Sequence, residues 1–327
     1  MEFKEILVEF RALGGIANNI DCRQAKNGRG LFALNPDLPI QLHCPPNLLL
    51  ERQYIQLDDQ KHIQVSEKAN ANKHLKSFYE KFHKHFGWSA GGLNQIRDFH
   101  NELVLLPKDI KEFLAILGWP ESSFNELSED KLLDHYLLSH EININSKRMI
   151  MPIIEMINHS PNENNYILED GVKFSGNFKD ELFANYNCHV DMFHFYKNYQ
   201  FVSPTNYLLS CDVSFDFPSI GRVFISRFDN ILNKDGSLKL PQVKKTKDQL
   251  SISFVELFNK EGNAREIFYE LMKAHDISSI KSNEIFDGLI EHNKQVLISF
   301  LDACNKSEGR VIEDLKTIAK THLQIME

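Results

Sequence analysis

The chain predicts an α+β fold of short β-sheets interrupted by a block of helices and closed by a helical C-terminal region. Three observations predict it. Apolar residues recur at helical spacing in one block from about 66 to 140 and again beyond about 250. Between these blocks, short apolar segments are bounded by Gly, Pro, Asn and Asp turn signals. No internal repeat of fixed period replaces this order.

Taken from the start, Phe3, Ile6, Leu7, Phe10 and Leu13 fall on one helical face, and Gly14-Gly15 stops the pattern. "IDCRQA" and "GLFAL" flank "KNGRG", and "LPIQL" precedes the Pro45-Pro46 break, so short strands joined by tight turns are expected. "NKHLKSFYEKFHKHF", "LNQIRDFHNELVLL", "KDIKEFLAILG" and "SEDKLLDHYLLSHEI" then read as helices. Strands return in "NYILEDGVKF", whose Asp170-Gly171 is a hairpin signal, and in "DELFANY". Beyond Cys211 an irregular stretch runs through "SLKLPQVKKTK". "FVELFNKEGNAREIFYELMKAHD", "NEIFDGLIEHNKQVLISFLDAC" and "VIEDLKTIAKTHL" follow as helices.

With 327 residues and 42% hydrophobic content the chain can bury a large core, and two domains, or one with a large insertion, are expected. Its 37 basic and 45 acidic residues give a formal charge of −8, without the cationic footprint of a nucleic-acid or membrane binder. The densest basic run, Lys244 to Lys247, reads as a solvated loop. Five scattered cysteines with no Cys-x-x-Cys pair suggest neither a disulfide framework nor a structural zinc site, so a reducing compartment is expected. No apolar stretch reaches membrane-spanning length, and the acids in "MEFKEILVEF" do not suit a secretory signal. His74, His83, His85 and His100 crowd the helical block, but without ligand spacing. They read as histidines on solvated helix faces, and no metal is expected.

Three separated features concern chemistry: "NGRGLFAL" at 27 to 34, "MINHS" at 156 to 160, and tyrosines in "LFANYN" and "NYQF". Alone, Gly28-x-Gly30 is a tight turn or a loop that lets a ligand approach main chain. Asn158-His159 alone suits a turn that satisfies local backbone, and the tyrosines suit an amphipathic core. In this order and spacing, however, they resemble a SET-domain methyltransferase, most closely the Rubisco large-subunit lysine methyltransferase branch. "EMINHS" stands for that branch's Asp-Leu-x-Asn-His-Ser segment, and Tyr186 and Tyr199 for its two tyrosines, the second in a "DYGF"-like segment.

The resemblance implies a SET domain over residues 1–210 with a pseudoknot and a helical insertion at about 66–140, and an all-α domain over 211–327 that docks a protein substrate. It implies transfer of a methyl group from S-adenosylmethionine to a lysine, without metal. Asn27, Gly28, Arg29, Gly30, Leu31, Asn158, His159 and Tyr199 would hold the cofactor. Tyr186 would be the chemical tyrosine with Tyr199 as second catalytic tyrosine, and Glu155, Tyr166 and Tyr186 would line the substrate channel. A cytoplasmic protein is expected, and an effector secreted by a bacterium into a host cell would look the same.

Two departures bear on the site. Glu155 stands where the family has aspartate, and the Ser-Arg pair that grips the cofactor carboxylate is missing, leaving His140 or Arg148 as substitutes. A histidine target, as in a related branch, and a SET fold kept only for protein interaction are the alternatives.

Overall fold

The computed structural model describes residues 1–25, 28–186, 190–218, 220–227 and 239–327. Helix α1 (Phe3–Ala12) leads into strands β1 (Ile16–Asn18), β2 (Ile20–Ala25), β3 (Gly28–Ala33), β4 (Ile40–Cys44), β5 (Leu50–Glu51), β6 (Ile55–Leu57) and β7 (Ile63–Val65). Helices α2 (Lys73–Phe86), α3 (Gly92–Leu105), α4 (Lys108–Ile116) and α5 (Glu129–Leu138) follow. Next come β8 (Glu141–Ile144), β9 (Lys147–Ile150), β10 (Asn158–His159), β11 (Val172–Gly176), β12 (Phe183–Ala184) and helix α6 (Met192–Tyr199). Strands β13 (Tyr207–Leu209), β14 (Val213–Phe217), β15 (Gly221–Ile225), β16 (Val243–Lys245), β17 (Gln249–Ile252) and β18 (Glu256–Asn259) precede helices α7 (Ala264–Lys273), α8 (Ser279–Cys304) and α9 (Arg310–Ile325). The mixture of short sheets, inserted helices and closing helices is the expected fold class.

One unit comprises Met1–Asp98 with Leu127–Asn187. Its α1 buries the predicted face, Phe3, Ile6, Leu7 and Phe10, and ends where only glycine fits, since a Cβ on Gly15 would collide with the Phe10 ring. Asn72 caps α2 by accepting from the Leu75 amide, which sets Leu75, Phe78, Tyr79 and Phe82 into the core. Strand β4 lies between β1 and β11 in an antiparallel sheet. The Asp170-Gly171 turn forms as predicted, with both residues at positive φ and mutual hydrogen bonds between Ile167 and Lys173.

The other unit comprises Phe99–Glu126 with Cys188–Glu327, so the division differs from the expected one at 210/211. The reason is apolar: Phe99, Leu103, Ile110, Leu114 and Trp119 share one core with Phe193, Leu289, Phe300 and Ile318. A second difference lies at 207–259. Strands β14, β15, β17 and β16 form a four-stranded sheet, and β13 pairs with β18, where the sequence reading has an irregular stretch and a helix beginning at 254. The alternation that buries Leu257 and Asn259 is a strand signal overlaid by the helical pattern that follows. Side-chain bonds from Asn259 to Glu256 and Asn263 close the turn before α7. The C-terminal region is therefore helical only in its closing part, from Ala264.

Helix α6 is anchored by buried polar groups. Asp191 caps it by accepting from the His194 amide at 3.0 Å and pairs with the Arg227 guanidinium, which also donates to His194 Nδ1 at 2.6 Å. Burial opposes ionisation of Asp191, but Arg227 and His194 hold its carboxyl well below the usual carboxylate range. Tyr196 donates to Asp314 on α9 at 2.9 Å. Cys22, Cys44, Cys211 and Cys304 are free, and among the described residues no helix is long and apolar enough to cross a membrane. Lys244 to Lys247 is exposed.

Replacing Asp191 by Asn keeps a capping oxygen but strips the charge that compensates buried Arg227. A loss of about 3–5 kcal/mol is expected in urea unfolding, against little change if the pair is dispensable.

Candidate active site

The first unit gathers most of the expected site around the segment 180–186. Strand β3 pairs with β2 on one side. On its other side Ala33 N donates to Asp180 O at 2.9 Å and Leu182 N to Leu31 O at 2.8 Å. The chain then continues into β12, which lies parallel to β10, so that Asn158 faces Phe183 and His159 faces Ala184. Parallel neighbours cannot be joined by a tight hairpin, and here residues 160–182 make the return.

At the junction Asn158 Nδ2 donates to Glu181 Oε1 at 2.6 Å. A Cβ on Gly30 would sit 2.7 Å from that oxygen and 2.8 Å from that nitrogen. Gly30 is thus glycine to admit an internal amide–carboxylate pair. Gly28 differs: at φ +112 it opens β3, and a Cβ there would meet only Gln95 Oε1, at 3.8 Å. Arg29 donates to the His85 carbonyl at 3.1 Å, Leu31 is fully buried in β3, and Asn27 lies outside the described residues.

His159 and Tyr186 are locked together. The Tyr186 main-chain N–H donates to His159 Nδ1 at 3.2 Å, and since that amide always carries its hydrogen, Nδ1 accepts and the ring proton resides on Nε2. The equal approach of Nδ1 to Ala184 O is then a contact only, and that carbonyl accepts from Ser160 N at 3.1 Å instead. Burial pushes the imidazole down to about 4, so it is neutral at physiological pH. The Tyr186 hydroxyl donates to Ile157 O at 2.7 Å. Its ring lies 4.8 Å from that of His159 and stacks at 6.3 Å on Tyr166, which packs edge-on against Phe174. Tyr186 follows a strand, as expected, and Tyr166 belongs to the same aromatic group.

Glu155 sits in the turn Ile154–Met156, 8% exposed, with Oε2 buried and unbonded. Burial holds its carboxyl well above the usual carboxylate range, and burial likewise raises Cys44, Tyr79 and Tyr136. Ile153 immediately before this turn has φ 70°, ψ −55°, a strained conformation for a β-branched residue.

Neither substitute for the missing arginine is idle. His140 stacks on Tyr136 at 4.1 Å, places Nδ1 2.7 Å from the Tyr136 carbonyl and 2.9 Å from Ser139 Oγ, and is pushed down to about 4 by burial. Arg148 pairs with Glu141 across β8 and β9 at 3.4 Å. Tyr199 belongs to the other unit, at the end of α6, stacked on Phe195 at 4.5 Å.

The histidines of the helical block correct one expectation. His83 and His100 are buried, His83 among Tyr79, Phe82 and Tyr136 with its pKa pushed down to about 3 by desolvation. His74 is exposed and His85 partly so. Among the described residues no group of three or more His, Cys, Asp and Glu is arranged to hold a metal ion. Sequence reasoning missed Glu181 and Ile153. An acid opening the apolar run "ELFANY" looks like any strand boundary, and backbone strain leaves no mark in residue type.

Replacing Gly30 by Ala should separate Asn158 from Glu181 and cost about 1–3 kcal/mol in chemical denaturation; an unperturbed midpoint would show that the pair yields freely. For Glu155 the sign follows from a raised folded pKa: its stabilisation is complete below the unfolded value and is lost as pH rises toward the folded one. Glu155→Gln has no such proton, so its stability relative to wild type should improve by about 1.4 kcal/mol per pH unit above roughly pH 4.5. A pH-independent difference would place an ionised carboxylate at 155.

No protein-family model matches the chain, and no curated protein matches it. Among solved structures, the SET domain of LSMT bound to lysine and AdoHcy is similar at a TM-score of 0.38 and 11% identity, covering 99% of this chain and 90% of that one. Rubisco LSMT bound to AdoMet is similar at a TM-score of 0.40 and 12% identity, covering 99% and 91%.

Proposed function

We propose that the protein is an S-adenosylmethionine-dependent methyltransferase acting on a lysine of another protein. The observation that carries the reading is the Tyr186 hydroxyl bonded to Ile157 O, with the Tyr186 amide on His159, immediately beside Asn158. These bonds join two motif blocks of the first unit, and the Leu182 N–H on Leu31 O ties the 27–34 block to the same segment.

The cofactor would supply an activated methyl group. The donor set fits it: the main chain of 28–31 beside the open position at Gly28, the Asn158 amide oxygen, and the Glu181 carboxylate as a counter-charge for an amino or sulfonium group. Asn27, Arg29, His159 and Tyr199 are the other residues of the expected set.

The Tyr186 proton is committed to Ile157 O, so what this hydroxyl can present to a ligand is an acceptor oxygen. An amine donating to it has its lone pair directed elsewhere, which is the alignment an in-line displacement needs. A free lysine has a pKa of about 10.4 and arrives mostly charged. The adjacent imidazole is neutral and the rings of Tyr166 and Tyr186 offer no fixed anion, so desolvation favours the uncharged amine. We assign docking of the protein acceptor to α7–α9, which carry no candidate chemistry and expose Ile267, Ile280 and Ile298.

Tyr186→Phe keeps the ring and should lower turnover roughly tenfold to a thousandfold, about 1.4–4 kcal/mol of transition-state stabilisation, without loss of cofactor affinity. Tyr199→Phe should weaken catalysis or change the number of methyl groups added. Wild-type turnover in both variants would refute the mechanism.

A further inference from the structure

The pair that Asn158 makes with Glu181 rests on two separate strand pairings within the first unit. Glu181 bridges antiparallel to Phe32, held on either side by Ala33 N on Asp180 O and Leu182 N on Leu31 O. Asn158 takes its place from β10, where it lies opposite Phe183. Main-chain bonds therefore set both residues, and their side chains meet over Gly30, where any Cβ would collide with both.

A side-chain amide has a donor face and an acceptor face. An ionised carboxylate only accepts, so it admits Asn158 Nδ2 and repels Oδ1. The bond, at 2.6 Å, has the shortness of a charge-assisted one. The amide orientation is thereby chosen, with Oδ1 turned away from Glu181, and among the described residues nothing donates to that oxygen. Asn158 is 9% exposed and Glu181 is half-buried, so the pair lies at the margin of the core and is not sealed within it. A contact needed only to join strands would be served by an apolar pair. That would avoid both the desolvation of a carboxylate and the entropic cost of glycine in a strand.

We propose that Glu181 is a positioning residue: its carboxylate presents Asn158 Oδ1 as an acceptor for an N–H group of bound S-adenosylmethionine. The inference rests on the methyltransferase reading and on Asn158 as part of its cofactor set. Positioning differs from the counter-charge role in one respect. A counter-charge acts on the ligand directly and keeps its effect when the Asn158 side chain is gone, whereas positioning works only through Asn158.

A double-mutant cycle separates the two. Calorimetry with S-adenosylhomocysteine compares wild type, Glu181→Ala, Asn158→Ala and the double variant, with thermal unfolding to establish that each is folded. Released from its carboxylate, Asn158 samples other rotamers and both amide faces, so Glu181→Ala should bind about five- to tenfold more weakly. Beside Asn158→Ala the same change should cost little or nothing. Where Glu181→Ala does not fold, Glu181→Gln, which keeps the volume, enters the cycle instead. Its neutral amide can meet either face of Asn158, so its loss too should shrink beside Asn158→Ala. A loss as large with Asn158→Ala as without it overturns the assignment, and so does wild-type affinity in either folded single alanine variant. A folded wild type that does not bind S-adenosylhomocysteine removes the methyltransferase reading and this inference with it.

Discussion

The candidate site depends on one constraint: two residues, Asn158 and His159, must lie parallel to Phe183 and Ala184 while the next strand over is β3. Local sequence cannot supply this arrangement, because 160–182 must leave and return on the correct side. Once it is in place, the rest follows with little freedom. Asn158 meets Glu181 over Gly30, His159 receives the Tyr186 amide, and the Tyr186 hydroxyl reaches the carbonyl just before the strand. Each bond connects residues more than twenty positions apart, so the site is assembled by the same long-range closure that forms the unit's core.

The two units treat buried acids differently, although burial pushes His322 of the second down to about 4 as it does His140 and His159 of the first. In the first, His83, His140 and His159 are kept neutral by desolvation and burial holds the Glu155 carboxyl well above the usual carboxylate range. An environment that disfavours charge suits a reaction requiring an uncharged amine. In the second unit a full ion pair, Asp191 with Arg227, is buried and hydrogen-bonded at the start of α6. There the polar groups fix the helix that ends on Tyr199 and is closed by Gln200, left-handed at φ 64°.

Much of this was legible in the residues. The apolar periods of α1 to α5 and of α8 and α9, the Asp170-Gly171 turn and the strands flanking Lys26 are local signals, and they appear where expected, whereas α7 begins only at Ala264. The strands between Tyr207 and Asn259 were not legible, because a short run such as Gln249–Ile252 takes its character from pairing with β15, more than twenty positions earlier. The same limit hid the affiliation of 99–126, whose apolar face is shared with distant helices. At the site, the motif residues of the first unit were singled out by their order in the chain. Glu181, the role of Gly30 as room for a side-chain pair, and the left-handed residue inside "NYQF" required coordinates.

The central claim is methyl transfer from S-adenosylmethionine to a protein lysine. Incubating the protein with methyl-labelled cofactor and a mixed cell lysate, then mapping the labelled residue by mass spectrometry, tests it most directly. The account predicts label on the side-chain nitrogen of a lysine, sharply reduced with Tyr186→Phe. A folded wild-type protein that transfers no label, or transfers it equally well without the Tyr186 hydroxyl, would contradict it.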